Sequence, residues 1–525
     1  MSGRSEKVVG ESPFHLGLLP SHHARYRPDR TAVVFESERI SFSEFDRRID
    51  RASNALAAAG LAKGDKFATV LPNCLELLEL YWAGAKTGTV IVPLSTLLRG
   101  SGLSALLSDS ESAAVITTPT YASALDEVRG ELRAISPGRW FSTGSDDRPG
   151  WKSWDAARGN ASEEPPPAAE IRPDDPYNII YSSGTTGMPK GIVHTHRIRM
   201  AYCTLFASAW RMTPESVVLH AGSIVFNGAF LTLMPWMYLG TTYVLQRQFE
   251  PERFLEAVRT ERATHVMMVP SQIVALLRSS AFSPDALSSL EMICSVGAPL
   301  HDEHKEELES KLPRRLYELY GLTEGFLTIL DRDAPPDKRA TVGIPPQFFE
   351  MRIETPDGRE AATGEVGEIV GRGPLLMAGY YRRPELSAEA VRDGWLYSGD
   401  LGFADADGYL HLVDRKKDMI ASGGINVFPR DIEEVAIRHP AIREVAVFGI
   451  PDEKWGEVPL AAIILREPEG ASAEELMAWI NERVSASYQR VHDVVLYEDF
   501  PRSAAGKTLK REMRERYWSG RTVKI

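Results

Sequence analysis

The run Ser182-Ser183-Gly184-Thr185-Thr186-Gly187 has no side chain able to fill a core, yet an apolar stretch, Tyr177-Asn178-Ile179-Ile180-Tyr181, leads directly into it. Glycine lets backbone N–H groups approach an anion closely, and serine and threonine hydroxyls add donors. Lys190 follows and supplies a mobile positive charge. The apolar stretch predicts a short buried strand. The residues from Ile192 onward predict a helix whose N-terminus would favour negative charge. Strand, small-residue loop and helix start together describe a phosphate cradle. It is not a Walker A loop, because Met188-Pro189 separates Gly187 from Lys190 where that motif needs Gly-Lys-Ser/Thr. A flexible linker is the alternative, but linkers seldom join an apolar strand to a basic segment.

The 525 residues suffice for several domains. At 43% hydrophobic and 25% charged, the composition is that of an ordinary globular protein. A net charge of -12 argues against nucleic acid as a partner, while leaving room for a nucleotide held by local groups. Cys74, Cys203 and Cys294 show neither metal-ligand spacing nor a disulfide framework, which points to a reducing cytoplasm. No apolar run reaches transmembrane length, and Met1 to Lys7 lacks an apolar signal core, so no integral membrane association is expected.

Helical and strand patterns alternate from about Phe14 to Pro166 and again from Ile171 to about Ala340. Phe42 to Ala59 predicts an amphipathic helix stopped by Gly60. Phe67–Leu71, Val90–Pro93, Val217–Leu219, Thr242–Leu245 and His265–Val269 predict buried strands. Between these regions, Asn160 to Ala169 predicts a Pro/Glu/Ala-rich linker. Short strands and glycine turns from Glu350 to Leu412 predict a small β unit. The C-terminal part then changes pattern, with a helix from Pro429, strands Glu444–Gly449 and Leu460–Leu465, and a helix Ala473–Val484. The expectation is an α/β protein: a large N-terminal domain of α/β subdomains plus a small β unit over 1–416, and a small α+β C-terminal domain over 417–525.

Several further segments carry chemistry. Tyr320-Gly321-Leu322-Thr323-Glu324 follows a predicted strand, Arg315–Leu319. An acid beside a phosphate loop can hold Mg2+ against triphosphate oxygens, and Tyr320 can stack on a base; a strand end with a solvated carboxylate is the plainer reading. In Trp395-Leu396-Tyr397-Ser398-Gly399-Asp400 the carboxylate can accept from both hydroxyls of a ribose, or serve a turn. Asp414-Arg415-Lys416-Lys417-Asp418 is a charged loop in which Lys416 is assigned to solvent. Ser422-Gly423-Gly424 permits close backbone approach or a β-turn. Pro501 to Gly506 places Lys507 on a loop where a lysine is ordinarily solvated. The run Lys510 to Arg516 predicts a solvated helix face, and His194, His196, Glu433 and Glu434 receive no catalytic role.

In this order and spacing, the segments resemble the signatures of the adenylate-forming superfamily: acyl-CoA synthetases, aryl-CoA ligases, firefly-type luciferases and the adenylation domains of peptide synthetases. The likeness runs from about Ala24 to Arg511. It implies that Ser182, Ser183, Gly184, Thr185, Thr186, Gly187 and Lys190 bind the ATP phosphates, with Thr186 catalytic. It gives Thr323 to phosphate, Glu324 to Mg2+ and Tyr320 to adenine, with Gly297, Ala298, Pro299 and Gly321 lining the adenine and acyl pockets. Asp400 would bind the ribose, with Arg415 beside it. Lys417 falls at the family's hinge, about which the C-terminal domain rotates so that one site runs both half-reactions. Gly423, Gly424 and Trp455 would line a pantetheine tunnel, and Lys507 would bridge carboxylate and α-phosphate during adenylation.

The acyl pocket would be formed by Val225, Phe226, Asn227, Gly228 and Ala229 with Gly321. Amino-acid-activating relatives carry Asp where this chain has Asn227, and CoA ligases and luciferases often carry His. An apolar pocket without a counter-ion disfavours an α-amino acid, because a buried unpaired ammonium is very costly. The expected substrate is a hydrophobic monocarboxylic acid, aryl or fatty, and the expected acceptor is free coenzyme A. Pro451 to Glu457 resembles the CoA-ligase version of that segment. The competing expectations are an acyl-AMP ligase loading a carrier protein and a catalytically silent acyl-nucleotide-binding protein. A homodimer is compatible with each of them.

Overall fold

The computed structural model describes residues 14–144, 148–182, 190–422, 425–468, 470–502 and 508–518. Two compact units result. One comprises Met1–Met267, Ala286–Glu291 and Pro374–Ser387, the other Met268–Asp285, Met292–Gly373 and Ala388–Ile525.

In the first unit a mixed sheet runs in the order Gly379–Tyr380, Lys190–Thr195, Pro176–Ser182, Val90–Pro93, Lys66–Val70, Ala114–Thr117, Trp140–Ser142 and Lys152–Ser153. Its central parallel strands are buried along nearly their whole length, as strands covered on both faces must be. Val70, Val92, Leu103, Val115, Leu125 and Trp140 belong to the core packed against it. A second set of strands pairs His265–Met268, Val217–His220, Thr242–Leu245, Thr31–Phe35 and Glu38–Ser41 in that order. The helix Phe42–Ala58 buries Phe42, Phe45, Ile49, Ala52 and Leu56, which recur three or four residues apart. Its N-terminus is capped by Ser41 Oγ, which accepts from Glu44 N at 3.2 Å. The predicted linker is tied to this helix, for Asn54 Nδ2 donates to the carbonyls of Ser162 and Glu164, each at 2.9 Å.

One expectation fails at the small-residue loop. No helix opens at Ile192. Lys190–Thr195 is a strand, antiparallel to Pro176–Ser182, with Ser182 opposite Lys190. Ile192, Val193 and Thr195 are β-branched, and the neighbouring strand supplies the hydrogen bonds that a helix would have had to make internally. The helix starts only at His196, where Thr195 Oγ1 accepts from Ile198 N at 3.3 Å. The two flanking strands therefore lie side by side, and no helix dipole starts at Ile192.

The second unit carries Met292–Val296 parallel to Leu316–Gly321, which turns back antiparallel into Leu327–Leu330. The predicted β unit is a sheet of Glu350–Glu354, Gly367–Arg372, Trp395–Ala404 and Val391–Arg392, with Leu410–Arg415 on the other side of Trp395–Ala404. Beyond it, Ile425–Val427, Ile420–Ser422, Gly456–Leu465 and Ile442–Asp452 form another sheet, with Asp493–Leu496 along Gly456–Leu465. Ile432, Val447, Ile463, Leu476 and Ile480 fill one core of that region. The helix Lys510–Trp518 presents the expected solvated face at Arg511, Glu512, Glu515 and Arg516, and a second, packed face besides. Met513 is buried, Lys510 Nζ lies 2.6 Å from Glu433 Oε1, and Arg514 lies 2.9 Å from Glu457. The charged residues conceal one apolar contact point and two carboxylate partners. No helix among the described residues is long and apolar enough to cross a membrane.

Gly343 joins two of these strands. Its carbonyl accepts from Leu410 N at 2.9 Å, while Ile344 and Ile329 exchange backbone hydrogen bonds beside it. A Cβ there would stand 1.9 Å from the Ile329 carbonyl oxygen, at a φ of 81°. Gly358 has nearly the same φ, 82°, but open space around it. Gly358→Ala should therefore cost only the left-handed strain, about 1–2 kcal/mol. Gly343→Ala should add about 1–3 kcal/mol of overpacking. Thermal unfolding of both variants checks this, with the lower midpoint expected for Gly343→Ala.

Candidate active site

Asp400 follows Gly399, whose φ of 72° suits glycine. The adjacent strand Leu410–Arg415 registers Arg415 against Asp400, and Arg415 Nε lies 3.5 Å from Asp400 Oδ1. Tyr320, near the end of Leu316–Gly321, donates its hydroxyl to Asp400 Oδ2 at 2.8 Å. Burial, reinforced by this carboxylate, pushes the Tyr320 phenol well above its ordinary value, so it remains a neutral donor. The Asp400 side chain is 15% exposed, sheltered but open to one side. Below it, Ser398 Oγ accepts from Asp400 N at 3.0 Å and donates to the Ile369 carbonyl at 2.6 Å. Glu368 accepts from Gly399 N at 3.1 Å and pairs with Lys416 Nζ at 3.0 Å. Two residues from other strands, Tyr320 and Arg415, thus converge on one carboxylate. Glu368 was not foreseen, and nothing local in the sequence marks it.

Thr323 and Glu324 occupy the hairpin between Leu316–Gly321 and Leu327–Leu330, closed by Leu322 N donating to Phe326 O and Gly325 N to Leu322 O, each at 3.0 Å. Gly321 pairs with Leu327, and a Cβ on it would stand 2.8 Å from the Leu327 Cβ, so packing alone already demands glycine. Gly297, Ala298 and Pro299 are exposed just after the strand Met292–Val296. In the other unit, Lys190 holds its ammonium 4.9 Å from the centre of the Tyr380 ring.

Asn227 begins a short 3-10 turn, Asn227–Ala229, that runs into the helix Phe230–Leu239. Val225, Ala229 and Phe230 are buried beside it, and Gly228 leaves room before Met267. Asn227 Oδ1 accepts from Arg199 Nη1 at 2.9 Å, and its Nδ2 donates to Tyr202 Oη at 3.2 Å. Arg199 is fully buried. Its Nε donates to Asn178 Oδ1 at 3.2 Å and its Nη2 to His194 Nδ1 at 3.3 Å. The guanidinium lies 3.9 Å from the Phe230 ring centre and 4.7 Å from that of Tyr202. Sequence reading missed Arg199, although the signal existed: Arg199, Tyr202, Cys203 and Phe206 share one helical face, and a charge on a buried face is never incidental.

Lys417 lies in a turn closed by Asp418 N donating to Arg415 O at 2.9 Å. Burial and the neighbouring Arg415 hold its ammonium below the ordinary lysine range, against the pull of Asp418. Trp455 is 44% exposed on the turn between Ile442–Asp452 and Gly456–Leu465, where Asp452 Oδ1 accepts from its backbone N at 2.8 Å. Ser183, Gly184, Thr185, Thr186, Gly187, Gly423, Gly424 and Lys507 lie outside the described residues, and of Ser182 only the backbone is described.

Comparison with known proteins agrees with this geometry. The sequence profile of the AMP-binding enzyme family matches residues 21–381, and that of the AMP-binding enzyme C-terminal domain matches residues 431–507. A feruloyl-CoA synthase of Amycolatopsis is 34% identical over 96% of this chain and 99% of its own length. A long-chain-fatty-acid–CoA ligase of Mycobacterium tuberculosis is 32% identical over 96% of this chain and 98% of its own. Among solved structures, ATP-bound MatB from Rhodopseudomonas palustris superposes with a TM-score of 0.87 at 28% identity, covering 96% of this chain and 99% of that one. With Tyr320 and Arg415 gathered on the Asp400 carboxylate and nearly its whole length matched, the chain belongs to the AMP-binding, adenylate-forming enzyme family, in the acyl-CoA synthetase branch.

Proposed function

We propose that this chain is an acid–CoA ligase: it activates a hydrophobic aryl or fatty carboxylic acid with ATP to acyl-AMP and pyrophosphate, then passes the acyl group to coenzyme A. The convergence of Tyr320 and Arg415 on Asp400 carries the reading. A carboxylate already oriented by one hydrogen bond and one ion pair keeps lone pairs for ribose hydroxyls. Tyr320, fixed through its hydroxyl, offers its ring face to adenine. The substrate carboxylate attacks the α-phosphorus, the bond to the bridging oxygen breaks, and pyrophosphate leaves; such chemistry needs positioning and charge neutralisation more than a protein nucleophile. Glu324, on the hairpin tip, is the residue that would hold a magnesium ion, which would offset the triphosphate charge. Thr323 and the loop Ser182 to Lys190 are assigned to the phosphates, with Thr186 catalytic.

For the second half-reaction, the region from Lys417 onward is proposed to rotate as a body. Its own apolar cores, built from residues beyond Ile420, support a separately packed domain. His301 Nδ1 lies 3.1 Å from Glu434 across the Lys417 turn, a contact that such a rotation would have to break. The CoA thiol sulfur then attacks the acyl carbon and AMP departs. Gly423, Gly424 and Trp455 are assigned to the pantetheine path, and the three buried free cysteines accord with a cytoplasmic location.

Pyrophosphate release measured across a panel of acids, with and without CoA, tests the whole reading. Aryl or medium-chain acids should turn over and free α-amino acids should not, and thioester should appear only with CoA; amino acids outperforming every plain acid would overturn it. Lys507→Ala should lower adenylation by about a hundred- to a thousandfold, the size expected for one preorganised charge-stabilising donor. Thioester formation from preformed acyl-AMP should fall much less in this variant, so equal losses in both steps would reject the assignment. Lys417→Pro, which fixes φ near about -65°, should keep adenylation and impair thioester formation. Stopped-flow pyrophosphate release beside steady-state thioester assays decides this; loss of adenylation with transfer intact is the contrary outcome.

A further inference from the structure

Arg199 is a cation without an acid. It is 0% exposed, and among the described residues no carboxylate pairs with it. Its neighbours are an asparagine on each of two sides, a histidine nitrogen and the faces of Phe230 and Tyr202. Buried charges are ordinarily paired, so a guanidinium held by neutral groups alone leaves a positive potential in whatever cavity adjoins it.

The arginine also settles which way Asn227 points. A guanidinium has only donors, so the amide must turn its Oδ1 to Nη1, where the distance is 2.9 Å. Nδ2 then faces away, giving one N–H to Tyr202 Oη at 3.2 Å. Its second N–H has no acceptor among the described residues. The turn Asn227–Ala229 thus offers a donor, polarised by a full positive charge behind it, amid the buried apolar side chains of Val225, Ala229 and Phe230.

We propose that Arg199 is the specificity-determining positioning residue of the acyl pocket: by locking Asn227 with its Nδ2 outward, it selects acids whose apolar tail carries a hydrogen-bond-accepting oxygen, and it rejects cationic tails. This rests on the ligase reading above. The same arrangement separates this chain from amino-acid-activating relatives in a second way. Asn227→Asp would place a carboxylate against Arg199 and form an internal ion pair, leaving nothing for a substrate ammonium.

The test measures acyl-AMP formation as hydroxamate, with ATP and without CoA, for three cinnamic acids substituted at the para position with acetyl, isopropyl or aminomethyl. Acetyl and isopropyl differ little in size but only acetyl accepts. Wild-type protein should favour acetyl over isopropyl by about tenfold in kcat/KM, the upper end of what one neutral hydrogen bond contributes. That preference should lie chiefly in KM, and the aminomethyl acid should be the poorest of the three. Arg199→Met and Asn227→Leu should each bring the acetyl-to-isopropyl ratio within about twofold of one. Arg199→Lys, which keeps charge and donor, should retain most of the ratio. A loss of folding in Arg199→Met would still leave the wild-type ratio and Asn227→Leu to decide. A wild-type ratio near one, or variants that lower both acids equally, overturns the inference while leaving ligation intact. No hydroxamate from wild type with any acid overturns the ligase reading and this inference together.

Discussion

The Asp400 carboxylate is the point on which the second unit is organised. A sheltered negative charge needs donors, and here they arrive from two other strands, as a tyrosine hydroxyl and a guanidinium. Meeting that requirement fixes the end of Leu316–Gly321 against the paired strands Trp395–Ala404 and Leu410–Arg415. The serine beneath Asp400 and the Glu368–Gly399 bond set the backbone that carries it. The Gly343 crossing ties Leu410, at the far end of Leu410–Arg415, to Ile329 on the strand paired with Leu316–Gly321. Removing Asp400 would therefore leave two donors facing each other, and its loss would be felt in geometry as well as in any nucleotide contact.

The layered α/β order was readable because period-two and near-3.6 patterns are strong where a face is wholly buried. Phe42–Ala58, Val90–Pro93 and Thr242–Leu245 lie close to where the pattern places them. The misreading at Ile192 has a physical cause. A run of four to six residues with β-branched members suits either a strand or a capped helix start, and only the distant partner Pro176–Ser182 decides between them. Lys510 to Arg516 is legible only in part: its solvated face shows, while its single apolar anchor, Met513, is outnumbered by charges.

The candidate site divides along the same line. Tyr320, Asp400 and Arg415 could be singled out because each sits in a short ordered motif. Their mutual contact could not, since register between strands is a long-range property. Glu368 carries no motif, and Arg199 only its place on an apolar helical face. Each acts through a residue within a motif, Gly399 in one case and Asn227 in the other. Residues that orient others are the part of a site that local sequence hides, because their spacing from what they orient is set by the fold.

Arg415 and Arg199 illustrate how a counter-ion decides what an arginine does. A chain of net charge -12 must, on the proposed reading, admit a nucleotide, an acid and coenzyme A, all anions. Attraction from afar is unavailable, and at physiological salt charges act over about 8 Å. Only nearby cations count. Arg415 faces Asp400, so its charge is largely answered and it serves geometry. Lys190 rests on the ring of Tyr380, which stabilises an ammonium without neutralising it, and the charge stays usable by a phosphate. Among the described residues Arg199 has rings and amides for company and no acid, so on the proposed reading its field reaches the acyl pocket through Asn227. Identical side-chain chemistry would then yield a strut in one place and a selector in another, according to whether a carboxylate stands beside it.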